Sequence, residues 1–91
     1  MRIRWSPGAA QDLSSIADYI REDNRSAAHR VVRRIYEGAG GLAKFPNLGH
    51  IGRVPGTREL PLPNLPYIVI YRVLSDTVEI VSIIHGAQRF P

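Results

Sequence analysis

The chain has 91 residues, with twelve Lys and Arg against eight Asp and Glu, and it contains no cysteine. This length allows one hydrophobic core, so we expect a single domain over residues 1–91 and exclude multidomain enzymes. The absence of cysteine excludes disulfides, thiolate nucleophiles and cysteine-based zinc sites. A hydrophobic fraction of 44% without a run of about 20 apolar residues predicts a globular protein that does not cross a membrane. No apolar segment follows the basic start of the chain, so we expect a cytoplasmic location.

The basic excess is almost entirely arginine. Eleven of the twelve cations are Arg, and Lys44 is the twelfth. A guanidinium group makes bidentate contacts to carboxylates and phosphates, and the net charge of +4 favours an acidic partner. The charge alone does not separate a nucleic acid from an acidic protein, because both are attracted by the same field.

The first half of the chain predicts a strand followed by two helices. Residues 1–5 alternate cationic and apolar side chains, which indicates a half-buried strand. Ser6 is a good N-cap and Pro7 suits the first helical position, and the apolar spacing that follows predicts a helix over residues 7–22. A second helix is expected from an N-cap at Ser26. Its apolar stripe comprises Ala28, Val31, Val32, Ile35, Ala39 and Leu42.

The end of the second helix is predicted to be weak unless tertiary packing holds it. Gly38, Gly40 and Gly41 each cost about 0.5–1 kcal/mol relative to Ala in a helix interior. Because about three residues separate the two helices, they must pack against each other as a hairpin.

The second half of the chain predicts strands after a glycine- and proline-rich loop. Residues 57–62 indicate a short edge strand, since an edge tolerates the proline at position 61. Residues 67–74 and 78–85 are rich in β-branched and aromatic side chains and should pair at the centre of the sheet. The order β-α-α-β-β-β predicts an α+β fold, a two-layer sandwich with the helical hairpin packed on a mostly antiparallel twisted sheet.

Three histidines are the only side chains that titrate near neutral pH. His29, His50 and His85 lie at spacings that match no common metal-binding pattern, so we expect no metal and no organic cofactor. His85 lies at the end of the last predicted strand, where it alternates with Ile83 and Val81. It is interpreted either as a partly buried, hydrogen-bonded histidine or as a functional residue.

The second helix carries three clustered arginines at positions 30, 33 and 34. Arg30 and Arg34 are four residues apart, which places like charges on one face at a small energetic cost. Two interpretations stay open. The arginines form a solvated face, or they form a docking face for acidic groups of a partner.

A further set of residues could support RNA cleavage, which needs a base, an acid and cations around the phosphate. The adjacent residues Arg58 and Glu59 point to opposite faces of their strand, so they cannot both line one pocket. Tyr67 and Tyr71 share a strand face and could equally be core residues. The full set comprises Arg53, Arg58, Glu59, Tyr67, Tyr71, Arg72, His85 and Arg89.

Six segments together resemble a known family. They read IRWSP (3–7), DLSSIADYI (12–20), FPNLG (45–49), GRVPGTREL (52–60), PYIVIYRV (66–73) and IHGAQR (84–89). Nearly the whole chain resembles the RelE/ParE superfamily of toxins from type II toxin-antitoxin systems. The resemblance implies the same α+β fold that the periodicity predicts.

The resemblance implies two possible activities. RelE-like members cut messenger RNA on the ribosome with cations that would correspond to Ile68 and Ala87, and with a C-terminal tyrosine where this chain ends in Arg89, Phe90 and Pro91. These departures favour the ParE-like branch, whose members poison DNA gyrase without catalysis. If the chain is a ribonuclease instead, the catalytic candidates are Arg58, Arg72, His85 and Arg89.

The resemblance also implies partners. A cognate ParD-like antitoxin, acidic and partly disordered, is expected to wrap the helical hairpin in a hetero-oligomer, and sequence-specific nucleic-acid binding by the toxin alone is not expected. The alternatives are an RNA-cutting enzyme and an inactive member that binds only its antitoxin. The expected antitoxin contacts are Ala27, Ala28, Arg30, Arg33, Arg34 and Gly38. The expected target contacts are Arg53, Arg58, Tyr67, His85 and Arg89.

Overall fold

The computed structural model describes residues 1–89, with side chains described as far as Ala87. Two helices and five strands follow one another in the order β-α-α-β-β-β-β. Short 3-10 helices at Gly41–Ala43 and Gly86–Arg89 follow the second helix and the last strand. The elements are β1 (Arg2–Trp5), α1 (Pro7–Arg21), α2 (Arg25–Gly40), β2 (His50–Ile51), β3 (Arg58–Pro61), β4 (Tyr67–Val73) and β5 (Thr77–His85).

The helix starts confirm one predicted cap and correct the other. Ser6 caps α1, since its Oγ accepts a hydrogen bond from the backbone N–H of Ala9 at 3.0 Å. The N-cap of α2 is Asn24 and not Ser26. The Asn24 backbone is extended, and its side-chain oxygen accepts from the N–H of Ala27 at 3.0 Å. Both residue types are good caps, and the helix begins at the earlier one.

The glycine-containing end of α2 is helical through Gly40. Tertiary packing stabilises these last turns of the helix, because Ala39 and Leu42 are fully buried. A Cβ atom on Gly38 would lie 2.7 Å from a methyl carbon of Leu62, so the missing side chain lets the helix approach the segment after β3 closely.

The sheet has five strands in the order β1-β5-β4-β3-β2. Only β1 runs parallel to its neighbour, and the other pairs are antiparallel. This confirms the predicted mostly antiparallel sheet with β4 and β5 near its centre. The strand β2 was not predicted, because it is only two residues long and lies in the glycine-rich loop.

The predicted edge strand at 57–62 is partly interior. β2 pairs with Arg58 and Glu59 of β3, so this half of β3 has a neighbour on each side. Pro61 pairs only with Ile68 of β4, beyond the end of β2. The proline therefore keeps the edge environment that it needs.

A β-bulge in β5 sets which residues face the helices. Ile70 pairs with Ser82 and Tyr71 pairs with Ile80, which leaves Val81 as the extra residue. The predicted alternation of Val81, Ile83 and His85 is therefore interrupted at Val81. The buried residues that form the core cluster are Ala9, Ile35, Ala39, Leu42, Leu62, Val69, Tyr71, Val78, Ile80 and Ile83.

The loop before β2 is held by a buried tyrosine. The Tyr71 hydroxyl accepts from the N–H of Gly49 and donates to the carbonyl of Pro46, each at 2.8 Å. Arg58 donates to the carbonyl of Gly49 at 2.7 Å. A Cβ atom on Gly49 would lie 2.7 Å from the Glu59 carbonyl and 2.8 Å from the Tyr71 ring. The backbone can approach the tyrosine this closely only at a glycine.

Gly49→Ala is expected to destabilise the fold by about 1–3 kcal/mol, because the new methyl group meets backbone and a fixed ring. The matched control is Gly40→Ala, where a Cβ atom has nothing within 4 Å and the backbone is helical. This control should leave stability unchanged or raise it by up to about 1 kcal/mol. Urea denaturation of both variants measures the difference. Equal stability of the two variants would contradict the close packing at Gly49.

Candidate functional site

An apolar groove runs between α1 and α2 on the surface of the helical layer. It has a volume of about 390 Å³, and its lining residues are aliphatic or aromatic apart from Ser14. Trp5 and Tyr36 form one end, with ring centroids 5.9 Å apart and planes inclined by 11°. The remaining lining residues are Ala10, Leu13 and Ala17 of α1 and Val32 of α2.

The groove exists because two of the three apolar residues in its α1 wall are alanines. Ala10, Leu13 and Ala17 recur at three- and four-residue steps, so they form one stripe along the helix. This stripe lies beside the stripe that packs on the sheet, where Ala9 is buried and Ile16 packs against the core. Together they give α1 a wider apolar surface than the core covers. Exposed apolar surface of this kind marks protein interaction sites.

The residues expected to contact an antitoxin divide into two groups. Arg30, Arg33 and Arg34 are exposed on α2, and Arg34 donates a hydrogen bond to the carbonyl of Pro63. The small residues offer little surface. Ala28 is buried, Ala27 is half-buried, and Gly38 faces Leu62, so packing within the chain accounts for these positions.

A second cleft, of about 530 Å³, lies between α1 and the ends of β4 and β5. Tyr67 and His85 meet there edge to face, with ring centroids 5.7 Å apart. Burial, and to a smaller extent the neighbouring Tyr19, raises the pKa of the Tyr67 phenol. His85 is exposed rather than partly buried, and its Nδ1 accepts a hydrogen bond from the N–H of Ala87 at 3.1 Å. The carboxylate of Asp12 accepts from the N–H of Ile83 at 3.0 Å.

Among the side chains that the structure describes, the strand register separates the candidate catalytic residues. Arg58 pairs with Tyr71 and shares its face, whereas Arg72 is the next residue of β4 and points to the opposite face. His85 pairs with Tyr67, four residues along β4 from Tyr71, which corresponds to about 13 Å of extended strand. Arg53 lies on the loop after β2, where its N–H donates to Glu59. The side chain of Arg89 lies outside the described residues.

Arg72 belongs to an ion-pair network, Arg4–Glu79–Arg72, that spans three strands. Glu79 of β5 lies between Arg4 of β1 and Arg72 of β4 in the strand register. Arg4 contacts one carboxylate oxygen at 2.5 Å, and the Arg72 guanidinium donates to the other. The hydrogen bond from Arg72, followed by that from Arg4, lowers the pKa of the Glu79 carboxyl group. The side chain of Glu79 is only 12% exposed, so these arginines also compensate for its burial.

A metal-binding cluster and a membrane-crossing helix are both absent from the residues that the structure describes. Among them, no three His, Asp or Glu side chains lie close enough together to hold a metal ion. In the same part of the chain, neither helix has the length and apolar character that crossing a membrane requires.

Comparison with known proteins identifies the class. Residues 3–90 match the model of the ParE toxin of the type II toxin-antitoxin system parDE. A putative toxin, Y4kP, of Sinorhizobium fredii is 44% identical over 90 residues, which cover 99% of this chain and 93% of that protein. Toxin RelE2 of Caulobacter vibrioides is 32% identical over 87 residues, which cover 96% of this chain and 97% of that protein.

A solved structure agrees with the sequence comparisons. A chain from the chromosomal ParDE toxin-antitoxin system of P. aeruginosa superimposes with a TM-score of 0.83 at 30% identity. The match covers 93% of this chain and 95% of the solved chain. The present chain therefore belongs to the ParE toxin family of type II toxin-antitoxin systems, within the RelE/ParE superfamily. This confirms the family that the sequence motifs indicated.

The Arg4–Glu79–Arg72 ion-pair network should make the stability of the fold depend on pH in the acid range. Because the folded pKa of Glu79 is lowered, its stabilising effect should be complete at neutral pH and lost as the pH falls through the folded pKa, below the ordinary value of 4.5. The difference in Tm between wild type and Glu79→Gln should therefore shrink below about pH 4.5. Glu37→Gln, which removes the same charge from the exposed face of α2, is the control. A difference that stays constant down to pH 3 would refute this role.

Proposed function

We propose that this toxin inhibits DNA gyrase in the cytoplasm and that a cognate ParD-like antitoxin neutralises it by laying an amphipathic helix into the groove between α1 and α2. The groove carries the proposal for the antitoxin. Two alanines in its lining allow another helix to approach closely, and its aromatic end offers a flat surface for an apolar anchor. This geometry fits the helix-in-groove mode of recognition.

Charge supports an acidic antitoxin. Arg30 and Arg33 are exposed on α2, which also supplies Val32 and Tyr36 to the groove. Acidic side chains that flank the apolar face of a bound helix would lie within reach of Arg33, which is next to Val32 around α2, whereas Arg30 lies toward the far side of the helix and adds to the surrounding field. The net charge of +4 adds attraction at longer range and speeds association. A partly disordered antitoxin that folds on the groove would bury the apolar surface which the toxin leaves exposed.

The disposition of the cations favours a protein target over RNA cleavage. Arg58 donates to the carbonyl of Gly49, and Arg72 donates to Glu79 on the other face of the sheet. Because Arg58 and Arg72 point to opposite faces of the sheet, they do not face a single phosphate together. The positions where RNA-cutting members carry cations hold Ile68, which is buried, and Ala87. The five expected target contacts keep their role as predictions.

Ala10→Glu should weaken antitoxin binding by about tenfold or more, because it places a charge inside an apolar interface. Gln11→Glu is the matched control, since it adds the same charge at the next exposed position of α1 outside the groove lining. Long-range repulsion of an acidic antitoxin affects both variants equally, so the difference reports on the groove. Titration calorimetry with the cognate antitoxin measures both affinities. Equal losses in the two variants would place the antitoxin elsewhere.

The target is tested by inducing the toxin without its antitoxin. Inhibition of gyrase predicts growth arrest with double-strand breaks and intact messages, and purified toxin should cause purified gyrase to accumulate cleaved DNA. Codon-phased cuts in messenger RNA would instead establish the ribonuclease alternative. Normal growth on induction would establish an inactive, antitoxin-binding family member.

A further inference from the structure

Four large apolar side chains stand exposed on the segment between α2 and β3. They recur at every third position of the chain, and each is more than half exposed. Their exposed fractions are 58% for Phe45, 61% for Leu48, 78% for Ile51 and 63% for Val54. We call residues 44–58 the loop surface. The toxin's own core covers none of these four side chains, although burying one apolar side chain fully is worth about 1.5–3 kcal/mol.

The loop surface is ordered by hydrogen bonds rather than by apolar packing. Tyr71 holds both Pro46 and Gly49, and Arg58 holds the Gly49 carbonyl. Further along, the N–H of Gly52 donates to the carbonyl of Thr57 at 2.9 Å, and Thr57 donates twice to the carbonyl of Val54. The apolar side chains are therefore displayed on a fixed backbone. A fixed backbone reduces the entropy that a partner must remove on binding.

The charges of the loop surface restrict its partner. Residues 38–58 contain no Asp or Glu, whereas they include Lys44, Arg53 and Arg58. The next acidic residue, Glu59, is buried. A second copy that docked through the same loop surface would bring the same cations to it and be repelled. An acidic partner would be attracted, because opposite potentials across an interface favour association.

The apolar side chains favour a protein over a nucleic acid. Single-stranded nucleic acids stack on aromatic rings, and Phe45 is the only ring among the four side chains. Leu48, Ile51 and Val54 are aliphatic and suit apolar depressions on a protein surface. A combination of apolar anchors with a basic surround therefore fits an acidic protein surface that has an apolar depression.

We propose that this toxin binds an acidic face of its target protein through the loop surface. This inference rests on the proposed action on a protein target. The loop surface and the antitoxin groove share no residue. They also involve opposite edges of the sheet, since the loop surface contains β2 whereas Trp5 of the groove belongs to β1. An antitoxin helix in the groove therefore does not occupy the loop surface.

The first test uses the double variant Ile51→Asp/Val54→Asp in the full chain. Toxicity should fall, so that the inducer concentration that halves growth rises by about tenfold or more, because both anchors and the local charge are altered. Leu74→Asp is the matched control, an exposed aliphatic residue, 40% accessible, in the turn between β4 and β5. It should leave toxicity within about twofold of wild type, as expected outside an interface. Phe45→Ser/Leu48→Ser repeats the test on the other half of the loop surface.

Folding is checked on the same variants. Tm and the affinity for the cognate antitoxin should match those of wild type, because the altered side chains are exposed and lie outside the groove. Wild-type toxicity in both double variants would overturn the proposal. Loss of toxicity together with an equal loss of antitoxin affinity would also overturn it, because the effect would then be general.

Contact is tested directly with purified gyrase. A photo-crosslinking amino acid in place of Ile51 should form a product with gyrase, whereas the same amino acid in place of Leu74 should not. If gyrase is neither inhibited nor cross-linked while the double variants still lose toxicity, gyrase is wrong as the target and the loop surface stands. If gyrase is inhibited by wild type and by both double variants equally, gyrase stands and the loop surface fails. Absence of wild-type toxicity would refute both.

Discussion

The fold depends on hydrogen bonds to the backbone of β5 that continue beyond its pairing with β1. β1 pairs with β5 only as far as Ile80, and β5 continues for five residues beyond that point. The hydroxyl of Ser6 donates to the carbonyl of Val81, and Asp12 accepts from the N–H of Ile83, so α1 takes over from β1. Unpaired backbone groups in this half-buried region would be costly. The bulge at Val81 and the start of α1 therefore belong to one arrangement, which fixes the helical layer on the sheet.

The two layers could be predicted from the sequence, but the short strand, the helix cap and the bulge could not. Apolar periodicity predicted both helices and the central strands because burial on one face repeats along each element. It could not predict β2, since two residues give no period, and it could not choose between Asn24 and Ser26, which cap helices almost equally well. The bulge at Val81 is equally invisible, because it depends on which groups α1 offers to β5.

The candidate surfaces could likewise be predicted only in part from the sequence. The arginines of α2 were found from the sequence because charge can be read residue by residue. The groove was missed, although Ala10, Leu13 and Ala17 form a visible stripe, because small apolar residues on a helix usually indicate core packing. Only the position of α2 shows that Ala10 stays exposed while Leu13 and Ala17 are half-buried. The exposed aliphatic residues of the loop surface were missed for a related reason, since glycine and proline around them indicated only a loop.

Four of the arginines are held by contacts within the protein itself. Arg4 and Arg72 neutralise Glu79, while Arg34 and Arg58 donate to backbone carbonyls and so fix neighbouring segments. A guanidinium held in this way keeps its charge but has fewer directions in which to donate. Its effect on a partner is then mainly the field it adds to the surface. Such a field, placed beside exposed apolar side chains on the helices and on the loop, suits an acidic protein partner of the kind that both proposals invoke.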